Sequence, residues 1–154
     1  MKRLTLGLVA VALLALAATG AEPAEDAPAA AGASPEYALA KKAVDAKDWA
    51  TAIRLLTQAA VQDDRNPDVQ NLLGYAYRNA GRLDEAFTHY REALRLNPRH
   101  RGAHEYIGEA FLLVNDLAQA EQHLAALKQI CLIPCEEHDD LARAIAAYRG
   151  ARRN

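Results

Sequence analysis

A single register of residues recurs every 34 positions through the middle of this chain. The central unit begins at Pro67 and ends at His100. Within it, residues 74–98 (GYAYRNAGRLDEAFTHYREALRLNP) read as a helix, a tight turn, a second helix and a proline stop. The register recurs one unit before and one unit after this segment. A period of this length, built from two helical segments, predicts an array of stacked helical hairpins.

The central unit has small, aromatic or turn-forming residues at fixed positions. These residues are Leu73, Gly74, Tyr77, Gly81, Ala86, Tyr90, Ala93 and Pro98, at positions 7, 8, 11, 15, 20, 24, 27 and 32. The pattern resembles the tetratricopeptide repeat. A glycine inside a helix costs about 1 kcal/mol relative to alanine. We therefore expect a second backbone to pass close to Gly74, with Ala86 as its small counterpart on the other helix.

The resemblance implies an all-α fold, a right-handed superhelix of three hairpins over residues 35–134. The three repeats are predicted at 33–66, 67–100 and 101–134. The six helices of these hairpins are predicted at 35–46, 49–62, 67–80, 83–96, 101–114 and 117–130. A seventh helix is predicted at 136–149, within a C-terminal segment 135–150, because Leu141, Ile145 and Tyr148 share one helical face. We expect this helix to cap the apolar end of the array.

The first 21 residues have the pattern of a secretory signal peptide. Lys2 and Arg3 precede an apolar run, Leu4 to Ala18, that is short for a membrane span. We expect cleavage after Gly20 or Ala21 and no stable membrane insertion afterwards; an uncleaved anchor is the alternative. Residues 22–34, rich in alanine, proline and acidic side chains, are predicted to be a disordered tether. The style of the signal indicates an exported bacterial protein of the periplasm.

The net charge argues against nucleic acid as a partner. Removal of the signal would take away two of the 18 basic residues and none of the 20 acidic ones, leaving a net charge of −4. The sequence has no basic stripe that could follow a phosphate backbone. We therefore expect a protein or peptide segment as the partner.

The resemblance also implies where that partner would bind. In this family positions 2, 5, 9 and 12 of each unit face a concave groove. The candidate groove residues are Tyr37, Lys41, Asn71, Tyr75, Arg78, Glu105, Glu109 and Leu112. Tyrosine and arginine commonly anchor interfaces, and the groove is expected to be basic and aromatic at one end and acidic at the other. Glu105 and Glu109 would repel the C-terminal carboxylates that some family members capture. The alternative is an ordinary solvated helix face.

Cys131 and Cys135 are the two cysteines of the chain. An even count in an exported protein favours a disulfide, and we predict that this one fixes the docking of the seventh helix. The alternative is a thiol or copper site in which His138 is the third ligand, because thiolates and imidazole suit a soft metal.

The sequence contains no motif that supports catalysis. Serine hydrolase, zinc protease, phosphate-loop and dinucleotide-binding patterns are all absent, and Ser34 is the single serine. We therefore expect a non-enzymatic scaffold without a cofactor, serving envelope assembly, secretion or enzyme maturation. Two alternatives remain open: a small thiol or copper carrier, and a structural subunit that associates with itself through the exposed ends of the array.

Overall fold

A computed structural model describes residues 34–152 of the chain. This part contains seven α-helices and no strand. They are α1 (Pro35–Asp45), α2 (Trp49–Gln62), α3 (Pro67–Asn79), α4 (Leu83–Leu96), α5 (Arg101–Leu113), α6 (Leu117–Ile130) and α7 (Glu136–Ala151). The all-α prediction of three hairpins and a capping helix is thereby confirmed. The expected signal peptide (1–21) and all of the expected tether (22–34) except Ser34 lie outside the described residues.

None of the helices within residues 34–152 is both long enough and apolar enough to cross a bilayer.

Five of the seven helices within residues 34–152 begin at a residue whose side chain caps them; α4 and α7 have no such cap. The Ser34 side chain accepts a hydrogen bond from the Tyr37 backbone N–H at 3.2 Å, and Pro35 occupies the first helical position. Asp48 and Asp116 cap α2 and α6 in the same manner. Each cap satisfies a backbone N–H group that has no partner inside its own helix. Local chemistry therefore fixes these helix starts.

The turn inside each hairpin places one residue in the left-handed conformation. This residue is position 15 of the repeat in all three cases: Lys47 (φ 57°), Gly81 (φ 77°) and Asn115 (φ 63°). Glycine and asparagine adopt this conformation readily, whereas a lysine pays a steric cost there. The shared backbone geometry explains why the three hairpins keep one spacing despite different turn residues.

The core forms along the stack as three clusters of small and large apolar side chains. Neighbouring helices pack in chain order, and α7 packs on both α5 and α6. The third cluster contains Leu141 and Ile145 from α7, which are 0% and 2% exposed, together with Leu127 from α6. The helical face predicted for the cap is therefore the face that is buried. The capping helix closes the end of the array, as expected for a repeat stack.

The space at Gly74 is filled by a side chain of the other helix in its hairpin. The atoms nearest to the position of a Cβ on Gly74 belong to the side-chain ring of Tyr90, at 2.5–2.9 Å. Gly74 is small because an aromatic ring from the second helix of the same hairpin lies flat against it. Gly108, the equivalent residue of the next repeat, makes room instead for the Leu141 side chain of the capping helix.

Candidate functional site

The first helices of the second and third repeats, α3 and α5, and the capping helix α7 enclose a surface that we call the channel. Two cavities lie along it. The apolar pocket, of about 420 Å³, is lined by Arg78, Asn79, Glu109, Leu112, Leu113, Ala144 and Tyr148. The acidic pocket, of about 250 Å³, is lined by Asn71, Gly102, Glu105, Tyr106, Glu136, Glu137 and Asp140. Five of the eight predicted groove residues line one of these pockets.

An aromatic cluster sits between the two pockets. The rings of Tyr75 and Tyr106 are 4.9 Å apart, and Trp49 meets Tyr75 edge-on at 6.1 Å. The guanidinium carbon of Arg78 lies 5.3 Å from the Tyr75 ring and 5.4 Å from the Tyr106 ring. Aromatic rings that contact one another and an arginine provide large contact area at low entropic cost, which is typical of binding surfaces.

Arg78 is neutralised within the channel, which corrects the expected separation of charge. It forms an ion pair with Glu109 of the next repeat and also donates a hydrogen bond to the Tyr106 carbonyl oxygen at 3.3 Å. The Arg78 side chain is 12% exposed and the Glu109 side chain 28% exposed. One basic and one acidic residue of the predicted groove, Arg78 and Glu109, therefore meet, because α3 and α5 are adjacent.

The acidic character of the channel is concentrated around Glu105. This residue is 8% exposed. Burial, together with the nearby carboxylates of Glu109, Asp140 and Glu137, raises the pKa of Glu105 to about 8. Asn71, which lines the same pocket, has a buried Oδ1 atom without a hydrogen-bond partner among residues 34–152. The acidic pocket therefore contains a carboxyl group with a raised pKa and an amide oxygen without a hydrogen-bond partner among residues 34–152.

The other predicted groove residues have different environments. Tyr37 packs at the edge of the first core cluster, and burial raises its pKa, with Asp68 adding to the effect. Lys41 is exposed and makes no hydrogen bond or ion pair within the described part of the chain. Leu112 is 9% exposed and belongs to the third core cluster, so it contributes packing beneath the apolar pocket more than open surface. Leu112, Asn71 and Glu105 are all at least nine-tenths buried, so they differ in accessibility from the exposed Lys41.

The structure adds functional candidates that the repeat register did not indicate. Tyr106 lies at position 6, outside the stripe assigned by resemblance, yet it touches both Tyr75 and Arg78. Tyr148 packs against the third core cluster, as expected for the cap, and also lines the apolar pocket. Glu137 and Asp140 lie in the first turns of α7 and line the acidic pocket. The capping helix is thus also a wall of the channel.

Cys131 and Cys135 form a disulfide with their Cα atoms 6.0 Å apart. It links the end of α6 to the residue before α7, across the loop that contains Pro134. His138 lies beside it, with its Nδ1 atom 3.0 Å from Asp139 Oδ1. Both sulfur atoms are used in the disulfide, so a metal site with His138 would first require reduction of this bond.

Comparison with known proteins relates this architecture to described families. A family model for the tetratricopeptide repeat matches residues 37–98 and 88–131. Protein O-mannosyl-transferase Tmtc3 of Drosophila melanogaster is 30% identical over 83 residues, which are 54% of this chain and 9% of that protein. The chain spans only 9–13% of the length of the curated relatives it matches.

Solved structures show the same fold at low sequence identity. The type III secretion translocator chaperone SycD of Yersinia enterocolitica superposes with a TM-score of 0.68 at 18% identity, covering 77% of this chain and 84% of that one. SycD in complex with a peptide of the translocator YopD gives a TM-score of 0.65 at 19% identity, covering 77% and 89%. The family match extends over more than half of the chain, through all three hairpins. This chain belongs to the tetratricopeptide repeat family.

Proposed function

We propose that this protein is an exported, non-enzymatic scaffold that binds a segment of a partner protein in the channel between α3, α5 and α7. The observation that carries the proposal is the apolar pocket beside the cluster of Tyr75, Tyr106 and Arg78. A cavity of about 420 Å³ lies within the size range of ligand sites. Its floor is apolar, and the Arg78–Glu109 pair supplies polar groups at its edge. This combination suits a bulky apolar side chain of a protein segment.

The solved relatives support this proposal. SycD has been solved with a peptide of the translocator YopD, and the two chains share the fold. The channel here includes the capping helix, which contributes Tyr148 and Ala144 to the apolar pocket. A segment bound here would therefore touch the third hairpin and the cap together.

Export to the periplasm is part of the proposal. It is supported by the basic start, the short apolar run and the small residues before Glu22. In that compartment a scaffold of this class would serve envelope assembly, secretion or enzyme maturation. Cell fractionation with N-terminal sequencing of the mature chain would test it, and a mature chain beginning at residue 21 or 22 is expected. A chain recovered from the cytoplasm with Met1 or Lys2 at its start would contradict export.

A pair of matched substitutions tests the binding site. Leu113 is 60% exposed and lines the apolar pocket, whereas Leu132 is 94% exposed and lies outside the channel. Both are exposed, so aspartate at either position should leave the fold intact. In affinity capture from the native envelope fraction, we expect Leu113→Asp to lose a partner that wild type and Leu132→Asp retain. Equal retention by all three would place binding outside the channel and overturn the proposal.

The second candidate function is the thiol or copper carrier, for which Cys131 and His138 line the same surface pocket. It predicts that the reduced protein binds Cu(I) with one-to-one stoichiometry and that Cys131→Ser abolishes this binding. The scaffold proposal predicts that partner capture is unaffected by the same substitution.

A further inference from the structure

We propose that the acidic pocket binds the ammonium or guanidinium group of a basic side chain from the bound protein segment. This inference rests on the proposed function, since it assigns one anchor of the segment to one part of the channel. The pocket is lined by residues from the N-terminal portions of α5 and α7 and by Asn71 of α3. Its volume of about 250 Å³ falls below the range of drug-sized ligand sites, which suits a single side chain.

Glu105 is the central residue of the proposed site. Glu105 is 8% exposed, and its carboxyl group forms neither a hydrogen bond nor an ion pair within residues 34–152. Because the residue is largely buried and has no cationic partner, the charged form of its carboxyl group is disfavoured. A cation entering the pocket would supply the missing partner.

Asn71 is a second, independent indication that the pocket accepts a ligand. It is 9% exposed, and its Oδ1 atom is buried without a hydrogen-bond partner among the described residues. An amide oxygen accepts hydrogen bonds from ammonium and guanidinium groups. Gly102 lines the same pocket, and a Cβ at this position would lie 3.2 Å from Asn71 Nδ2. The absence of a side chain at Gly102 thus leaves room beside the amide.

Two of the other carboxylates that line the pocket, Glu137 and Asp140, have partners only at the protein surface. Glu137 is 3.4 Å from Arg101 Nε, and Asp140 forms an ion pair with Arg143. The side chains of Arg101 and Arg143 are 54% and 73% exposed. Exposed ion pairs contribute little, so these carboxylates remain available to attract a cation.

Cation binding in the pocket should be coupled to release of a proton. The pKa of Glu105 is raised to about 8 by burial and by Glu109, Asp140 and Glu137, and Arg78 opposes this shift. At neutral pH the empty pocket therefore holds a proton, which an entering cation would displace. Affinity for the cation should rise as the pH increases from about 6 towards 8.

The test uses the full mature chain and two small probes. N-acetyl-lysine methylamide presents one basic side chain, and N-acetyl-norleucine methylamide is its neutral counterpart. Binding is followed by NMR through the Asn71 side-chain amide and the Gly102 backbone amide. We expect the lysine probe to shift both signals and the norleucine probe to shift neither. Glu105→Gln should weaken binding of the lysine probe about tenfold or more and should remove its pH dependence. The control Asp84→Asn, which removes an exposed carboxylate on α4, should change neither the affinity for the lysine probe nor its pH dependence.

The outcomes separate this inference from the proposed function. Identical shifts with both probes, no shift with the lysine probe, or unchanged binding by Glu105→Gln would each overturn the cation site. The proposed function would still stand if Leu113→Asp lost the captured partner. If capture does not depend on the channel but the lysine probe binds as expected, the cation site stands as a pocket for a basic side chain and the scaffold proposal fails.

Discussion

The ring of Tyr90 occupies the space in which a side chain at Gly74 would lie. A Cβ built on Gly74 would be 2.5 Å from Tyr90 Cδ1 and 2.6 Å from Tyr90 Cε1. Tyr90 is 0% exposed, and its hydroxyl oxygen is buried without a partner among the described residues. The ring is therefore enclosed on all sides, so it has little freedom to move away from a larger residue at position 74.

Gly74→Ala should therefore destabilise the protein even though alanine is the better helix former. We expect a loss of about 1–3 kcal/mol in the free energy of unfolding, because a filled core resists an added methyl group. Gly150→Ala is the matched control: it is also helical, and apart from its own helix backbone and chain neighbours no atom of residues 34–152 lies within 4 Å of its added Cβ. For Gly150→Ala we expect the free energy of unfolding to rise by up to about 1 kcal/mol. Urea unfolding of both variants checks this, and equal effects would contradict the packing account.

Lys47→Gly should stabilise the first hairpin. Lys47 has a φ of 57°, which costs a residue with a Cβ about 1–2 kcal/mol. Part of this gain is lost through the greater freedom of glycine in the unfolded chain, so we expect a net gain below about 1 kcal/mol. Lys42→Gly, inside α1, should instead destabilise. Thermal unfolding distinguishes the two, and destabilisation by both variants would count against strain at Lys47.

Removal of the disulfide should lower stability by about 2 kcal/mol, because the loop that it closes is short. Cys131→Ser/Cys135→Ser and reduced wild type should agree in their unfolding midpoints. Intact mass of protein taken directly from its native compartment should show both cysteines oxidised. Two free thiols in that sample would contradict the structural role.

The stability of the third repeat should depend on pH through two histidines. His104 Nδ1 and His123 Nδ1 are 2.9 Å apart, and His104 Nε2 lies 3.0 Å from the Pro98 carbonyl oxygen. Burial, together with His104, lowers the pKa of His123 to about 4, and burial lowers the pKa of His104. An unfolded histidine titrates near 6.5, so the unfolded state binds more protons, and stability should fall as the pH decreases from about 6.5 to 4.

The variant His104→Gln isolates this effect. Residue 70, one repeat earlier, is a glutamine whose Oε1 atom lies 2.8 Å from Nδ1 of His89, so the substitution copies a pair that the fold already contains. We expect a shallower loss of unfolding free energy between pH 6.5 and 4 than in wild type, measured by urea unfolding at each pH. Parallel curves would show that the histidine pair does not control this transition.

The two pockets predict a spacing for their ligand. Equivalent lining residues are seven positions apart on each helix: 71 and 78 on α3, 105 and 112 on α5, 137 and 144 on α7. Seven residues of helix rise about 10 Å, a distance that about three residues of an extended chain span. Capped peptides with lysine and phenylalanine three positions apart should bind more tightly than peptides in which the two are adjacent. Fluorescence anisotropy measures this, and equal affinities would contradict simultaneous use of both pockets.

Much of the architecture follows from the sequence because it depends on local chemistry. The observed helices start at the predicted residues and end within two positions of their predicted ends. Capping side chains such as Ser34 and Asp48 act on backbone groups two or three residues away, so they can be recognised without knowledge of the fold. The apolar face of α7 likewise follows from helical periodicity.

Only the tertiary structure decides which side chains on different helices contact each other. The repeat register assigns side chains to faces, but it does not say which side chains meet. Arg78 and Glu109 are 31 positions apart, and their pairing depends on how α5 stacks against α3. The same stacking places the Tyr90 ring on Gly74 and buries Glu105 beside Asn71. Local rules determined the helices of this protein, whereas packing between repeats determined its channel, because contacts across helices depend on side-chain shape and helix placement together.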